Sequence, residues 1–318
     1  MLAFIAKRLA MGAGLVLLVL TLIFSALHFV PGDPAVLLLS SGDGGAPSPE
    51  AVDRVREQLG LNQPLLQQYF QFLAGVVTGD LGESFRTSQP VLDAIGARLP
   101  RTLQLVGFAT LLSIVFGIVL GAVAARRGGW IDTLVTALSS IGVALPVFVF
   151  GAVLILIFSI NLGWFPAGGY VDFGKDPVAA LQSLVLPAVS LAVGFSAQIA
   201  RMTRSAVLEV QGQDWVRTAK SIGLAPFEVF RKHVLRNSLT PVVTVVGIGF
   251  GTLLGSTVLV ERVFNYPGLS SLLVDGVTNR DYPVVQGIVI VIALMFISIN
   301  IVVDLIYGVL DPRVRRSS

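Results

Sequence analysis

The sequence predicts an all-α integral membrane protein with six transmembrane helices, both termini cytoplasmic, and a folded helical outer loop between helices 1 and 2. Three observations lead there. Charged residues make up only 13% of the 318-residue chain, against about 25% in a soluble domain. Six stretches lack Asp, Glu, Lys and Arg altogether: 9–32, 102–125, 133–171, 177–200, 237–260 and 282–303. Each covers the roughly 20 residues that an α-helix needs to cross the hydrocarbon of a bilayer. Their apolar character runs all round, without the alternating polar face of a membrane β-barrel.

The first stretch follows Lys7 and Arg8 but is too long for a signal-peptide core and ends without a small-x-small cleavage site, so a retained helix is expected. The third is too long for one span; Asn161, Gly163, Pro166 and Gly168-Gly169 end it near Ile160. With the N-terminus inside, the inner segments 1–8, 126–132, 201–236 and 304–318 carry 14 of the 22 Lys and Arg and 6 of the 19 Asp and Glu. The outer segments carry 8 basic and 13 acidic residues. Inward-facing positive charge selects this orientation.

Two domains are expected. Residues 1–100 hold the first helix and the extracytoplasmic loop, and 101–318 a five-helix core with a cytoplasmic loop at 201–240. In the outer loop, Ser48-Pro49-Glu50 supplies an N-cap, a proline at the first helical position and an acid at the positive dipole end. Gly60 is the expected stop. Further amphipathic stretches run from Pro64 to Val77 and from Pro90 to Leu99, where Pro100 breaks the chain; 40–47 is flexible by composition. Inside, a helix of about 206–222 should end at Gly223, and Pro226 should open another, with Glu228 and Lys232 paired at i, i+4.

That inner loop mixes Trp215, Val216, Ala219, Ile222, Gly223 and Leu224 with Arg217, Lys220, Arg231, Lys232 and Arg236. Ala219 and Gly223, four apart, suggest a nearly flat helix face for a partner's backbone. The residues alone leave two readings open: a short helix seated in a groove on a partner, or an amphipathic helix lying on anionic lipid. Gly247, Gly251 and Gly255, and the shorter pair Gly117 and Gly121, form small-residue ridges for close helix approach, within the bundle or against a partner.

Several chemistries lack their parts. There is no cysteine, so thiolate metal sites and catalytic thiols are excluded. No ionisable residue sits at the centre of a charge-free stretch, which removes the relay of a proton-coupled secondary transporter. His28 and His233 are far apart and read as structural. Gly169-x4-Gly174-Lys175-Asp176 misses the phosphate-binding pattern by placing Asp where the magnesium-binding hydroxyl belongs. No catalytic, cofactor or metal site is expected, so an enzyme is not the reading these residues favour.

The segment Asp214-Trp215-Val216-Arg217-Thr218-Ala219-Lys220-Ser221-Ile222-Gly223-Leu224, followed by His233-Val234-Leu235-Arg236-Asn237-Ser238-Leu239-Thr240-Pro241, resembles the EAA loop of binding-protein-dependent ABC importer permeases. It is most similar to the dipeptide/oligopeptide (nickel) branch. Arg217-Thr218-Ala219 stands where many relatives have Glu-Ala-Ala, a variant typical of the peptide branch. Leu27–Pro34, Leu59–Pro64, Gly79–Ser84, Arg98–Leu103, Val263–Leu269, Arg280–Gly287, Asn300–Tyr307 and Asp311–Arg313 extend the resemblance over nearly the whole chain, toward the first permease subunit with the long periplasmic loop.

The resemblance implies a bacterial inner-membrane subunit that imports di- or oligopeptides by alternating access, with nickel chelate, glutathione or another small solute as the alternative cargo. It implies as partners a second homologous permease, two ATPase domains and an extracytoplasmic substrate-binding protein, but no nucleic acid. ATP and Mg would sit on the ATPase subunits and no cofactor on this chain. It assigns ATPase coupling to Asp214, Trp215, Arg217, Thr218, Ala219, Lys220, Gly223, Leu224 and Arg236. Asp80 and Glu83 are candidates for docking the binding protein, and the substrate path is unassigned.

Overall fold

The computed structural model describes residues 2–29, 35–36, 39, 48–58 and 62–310. Regular structure among them is helical, with one isolated antiparallel bridge between Glu83 and Pro90. In order the helices are α1 (Leu2–Phe29), α2 (Pro49–Gln58), α3 (Leu65–Thr78), α4 (Val91–Arg127), α5 (Gly129–Ala144), α6 (Val147–Leu154, continued by π-helical turns Ile155–Asn161), α7 (Pro177–Gln211), α8 (Asp214–Ser221), α9 (Pro226–Glu228, leading through π-helical turns Val229–Leu235 into α10), α10 (Arg236–Val263), α11 (Leu269–Thr278) and α12 (Tyr282–Leu310). Among the described residues five helices are long and apolar enough to cross a membrane, and six spans result if the bent pair α5–α6 counts as one.

The chain forms two compact units, one largely Met1–Pro100 with Gly268–Val302, the other largely Arg101–Pro267. In the first, α1 leans on α3 through Phe24, whose ring meets Tyr69 edge-on at 5.3 Å and Phe72 at 5.7 Å. The Thr21 and Tyr69 hydroxyls lie 2.6 Å apart. Its core is Val91, Ile95, Leu269, Val284 and Ile288. Buried Asp281 organises the turn before α4: it accepts from the Ser84 hydroxyl at 2.5 Å and the Phe85 N–H at 3.1 Å. Ser48 caps α2 by accepting from the Ala51 N–H. Gly60 and the 40–47 stretch lie outside the described residues.

In the second unit α7 is the central element, packed by α5, α6 and α10. Asp176 caps it, accepting from the Val178 and Ala179 N–H groups at 3.0 Å, with Pro177 at the first helical position. Glycine sets the close crossings. A Cβ on Gly121 would sit 2.4 Å from the Ala200 carbonyl, and one on Gly117 2.6 Å from Ile199. Along α10, Gly249 lies under the Phe195 ring; Gly247 is buried, and Gly255 is exposed with nothing within 4 Å of its Cβ position. Burial pushes the Tyr266 phenol well above its ordinary range, so it remains a hydroxyl and donates to the Arg101 carbonyl at 3.2 Å. Buried Glu261 accepts from Thr102 at 2.8 Å.

Three expectations are corrected. The helix of α4 runs through Pro100 instead of breaking there. The carbonyl that the proline ring displaces belongs to Gly96, a residue with no side chain to crowd the adjusted turn. The third charge-free stretch is not one straight helix but turns by 105° between Ala144 and Val147. Pro146 removes an N–H there and disfavours helical geometry at Leu145, whose ψ is 125°. Finally, the inner helix expected at 206–222 is divided: α7 ends at Gln211, Gly212 and Gln213 intervene, and α8 starts at Asp214.

Candidate functional site

The loop between α7 and α10 is a short helix clamped to the ends of longer ones. Its eight residues are too few to hold a helix alone, and tertiary contacts supply the stability. Val216 is fully buried in a cluster with Ala125 of α4, Val207 of α7, and Val229 and Val234 of the π-helical segment. The C-terminus of α8 closes in a Schellman motif: Leu224 N–H donates to the Ala219 carbonyl at 3.4 Å and Gly223 N–H to the Lys220 carbonyl at 3.1 Å. Gly223 has φ +86°, the left-handed conformation this closure needs. Ala219 and Leu224, the hydrophobic pair of that motif, pack on the same cluster.

This geometry revises the flat face expected from Ala219 and Gly223. Gly223 lies beyond the helix end, and Ala219 turns toward the chain's own core. The outward surface consists of Trp215, 42% exposed, Ile222, 72% exposed, and Phe227, 55% exposed. Around them Asp214, Arg217, Thr218, Lys220, Gly223 and Arg236 are exposed. Asp214 and Arg217 form an open ion pair at 3.5 Å, and Lys232 donates to Glu228 at 2.6 Å as the i, i+4 pattern anticipated. Pairs this exposed contribute little to stability. They shape the charge of the surface.

Two attachments escaped sequence reasoning. The Arg126 guanidinium lies over the Phe227 and Phe230 rings at 5.2 and 5.3 Å, tying the end of α4 to the loop. Arg204 in the inner turns of α7 grips Asp132 of α5 with both ends of its fork, Nη2 to Oδ2 at 2.6 Å. Neither left a local signal, because the partners are far apart in sequence. Through the Val216 cluster and Arg126 the loop is held to the ends of α4 and α7 and to the π-helical segment that opens α10.

The other candidate residues stand apart from this loop in sequence. Asp80 closes a turn by accepting from the Gly82 N–H at 3.0 Å, and Glu83 pairs with Pro90 in the isolated bridge; both are exposed. A cleft of about 580 Å³ in the same unit is lined by Arg86, Gln89, Arg98, Asp275, Asn279 and Asp281, among others, and neither Asp80 nor Glu83 reaches it.

Comparison with known proteins gives this arrangement its context. Residues 114–316 match the family model of the binding-protein-dependent transport system inner membrane component. Residues 1–106 match the model of the N-terminal part of such a membrane component. The chain belongs to this permease family. A protein of Brucella abortus named as a peptide transport system permease is 45% identical over 316 residues, covering 99% of both chains. The glutathione transport system permease protein GsiC of Escherichia coli is 39% identical with the same coverage. The permease is therefore a multi-pass inner-membrane protein on the peptide and nickel branch of the ABC importers. Among solved structures, an inward-facing form of the MetNI methionine ABC transporter matches with TM-score 0.56 at 20% identity, covering 71% of this chain and 100% of that one. An amino acid ABC transporter matches with TM-score 0.53 at 17% identity, covering 68% and 94%. At that distance the likeness is one of fold.

Proposed function

We propose that this permease forms half of the channel of an ATP-driven importer of di- and oligopeptides, with α8 as the lever through which separate ATPase subunits drive it. The observation that carries this reading is the exposed apolar group Trp215, Ile222 and Phe227 on a loop whose opposite side is locked into the permease's own core. A loop held that firmly, yet leaving large apolar side chains uncovered among charges, suits a groove on a partner. Arg217, Lys220 and Arg236 would choose the groove's charge, with Asp214, Thr218 and Gly223 contacting its walls. Ala219 and Leu224 would act from within, by holding α8 on the core.

In this reading both termini are cytoplasmic. Residues 1–100 carry the first span and the extracytoplasmic helices, and 101–318 the transporting core. The partners are a second permease, two ATPase domains holding ATP and Mg, and an extracytoplasmic binding protein that docks on the outer segment, where Asp80 and Glu83 are exposed. ATP binding draws the two ATPases together, α8 shifts with them, and the bundle exchanges an inward for an outward opening. The permease itself catalyses nothing. The peptide cargo rests on the relatives named for peptides, and the relative named for glutathione favours glutathione as the second reading.

Reconstituted with its partner subunits, the permease should support ATP hydrolysis that loaded binding protein stimulates, and peptide uptake that stops without ATP. Uptake that persists in the absence of nucleotide would reject the ATP-coupled mechanism.

A further inference from the structure

The break between α5 and α6 lies well inside an apolar span, where non-helical backbone is tolerated only if protein covers it or water reaches it. The helix carbonyl of Gly142 has no N–H to accept from four residues on, because that residue is Pro146. On the α7 side Gly194 faces this carbonyl, which lies 3.5 Å from where its Cβ would be. A cavity of about 120 Å³ opens at this point, lined by α5, α6, α7 and α10. It is room for about four water molecules or one peptide unit.

Polar side chains converge on the same opening. Gln198 of α7 and Thr252 of α10 line it, both are exposed, and neither side chain has a hydrogen-bond partner among the described residues. Ser256, one turn along, bonds the Thr252 carbonyl at 2.9 Å. Gly142, Gln198 and Thr252 line one cavity, and each belongs to a segment long and apolar enough to cross a membrane, Gly142 in the bent pair. An unpaired amide and hydroxyl facing lipid there would be costly, so this side of the unit does not face lipid.

We infer that this opening is a membrane-depth binding site for uncharged main-chain amide groups of the transported solute. The amide of Gln198 and the hydroxyl of Thr252 each donate and accept, and the Gly142 carbonyl accepts, which matches the C=O and N–H of a peptide unit whatever its side chains. No charged residue lines the opening, so it does not sort solutes by charge. The inference rests on the import reading above, for which it supplies a point of contact along the path.

The chain contains no cysteine, so single thiols can be read against a blank background. Gln198→Cys, Thr252→Cys and, on an exposed apolar face of α4, Val119→Cys are introduced into the full reconstituted transporter. Each is then treated with a charged, water-borne methanethiosulfonate. The expected result is modification at 198 and 252 about tenfold or more faster than at 119, because only a hydrated thiol ionises and reacts, and slowing at both sites when binding protein loaded with trialanine is supplied. Rates no faster than at 119, or rates that trialanine does not change, would overturn the site. ATP-dependent trialanine uptake by the unsubstituted transporter, measured alongside, separates the two claims. Fast, trialanine-protected labelling without such uptake would sink the import mechanism and keep the site; uptake with slow labelling would sink the site alone.

Discussion

Replacing Val216 with aspartate should abolish ATP-driven uptake while leaving the permease inserted in the membrane. Val216 is fully buried between the ends of α4 and α7 and the π-helical segment that leads into α10. A valine there contributes about 1.5–3 kcal/mol through burial, and an unpaired carboxylate in its place costs about 3–5 kcal/mol. The α8 helix, too short to persist alone, is then expected to leave its seat and expose 212–236 to protease. Uptake should fall about a hundredfold or more, since a free energy of that size is a factor of about 10² to 10⁴. The helices that cross the membrane do not depend on this seat: α7 holds α5, α6 and α10 through contacts elsewhere along its length. Val216→Ala, which only trims the packing, should keep most of the uptake. Wild-type transport by Val216→Asp would mean that the attachment of α8 carries no motion.

Gly121→Leu should be the most damaging single change within the membrane. The atoms in the way are the Ala200 carbonyl oxygen at 2.4 Å from the new Cβ and the Thr203 Cβ at 2.8 Å. Backbone cannot rotate aside as a side-chain tip can, so α4 and α7 must separate along the crossing. Overpacking of this kind costs about 3 kcal/mol or more. Thermal unfolding of the detergent-purified permease should shift clearly downward, and recovery of folded protein should fall. Gly107→Leu in the same helix is the control, because that glycine is exposed and meets nothing within 4 Å. Equal stability of the two variants would contradict the close crossing.

The membrane spans were legible because charge is so costly in lipid that its absence alone marks them. Breaks inside and between helices were harder. Pro146 sits in a stretch where composition is uniform, and its 105° consequence depends on what α7 and α10 offer the interrupted backbone. Pro100 looks equally disruptive in sequence yet is absorbed, with Gly96 one turn before it. The end of the helix in the segment Asp214–Leu224 was legible from its glycine. Its orientation was not. In an eight-residue helix the apolar positions are too few to define a face, and Val216 and Ile222 look alike until Ala125, Val207, Val229 and Val234 claim the first of them. Asp281 and Ser84, 197 residues apart, and Arg126 with Phe227 are pairs that only the fold brings together.

The central claim is that the outward surface of α8 and its flanks is gripped by an ATPase. Ile222 is the most exposed of the apolar residues on that surface, and Ile222→Cys would be the only thiol in the chain. Carrying a short photo-activated maleimide in native membranes, it should cross-link to the nucleotide-hydrolysing subunit, in an amount that changes when ATP and vanadate trap the closed state. A product formed only with lipid, or with the extracytoplasmic binding protein, would contradict the account.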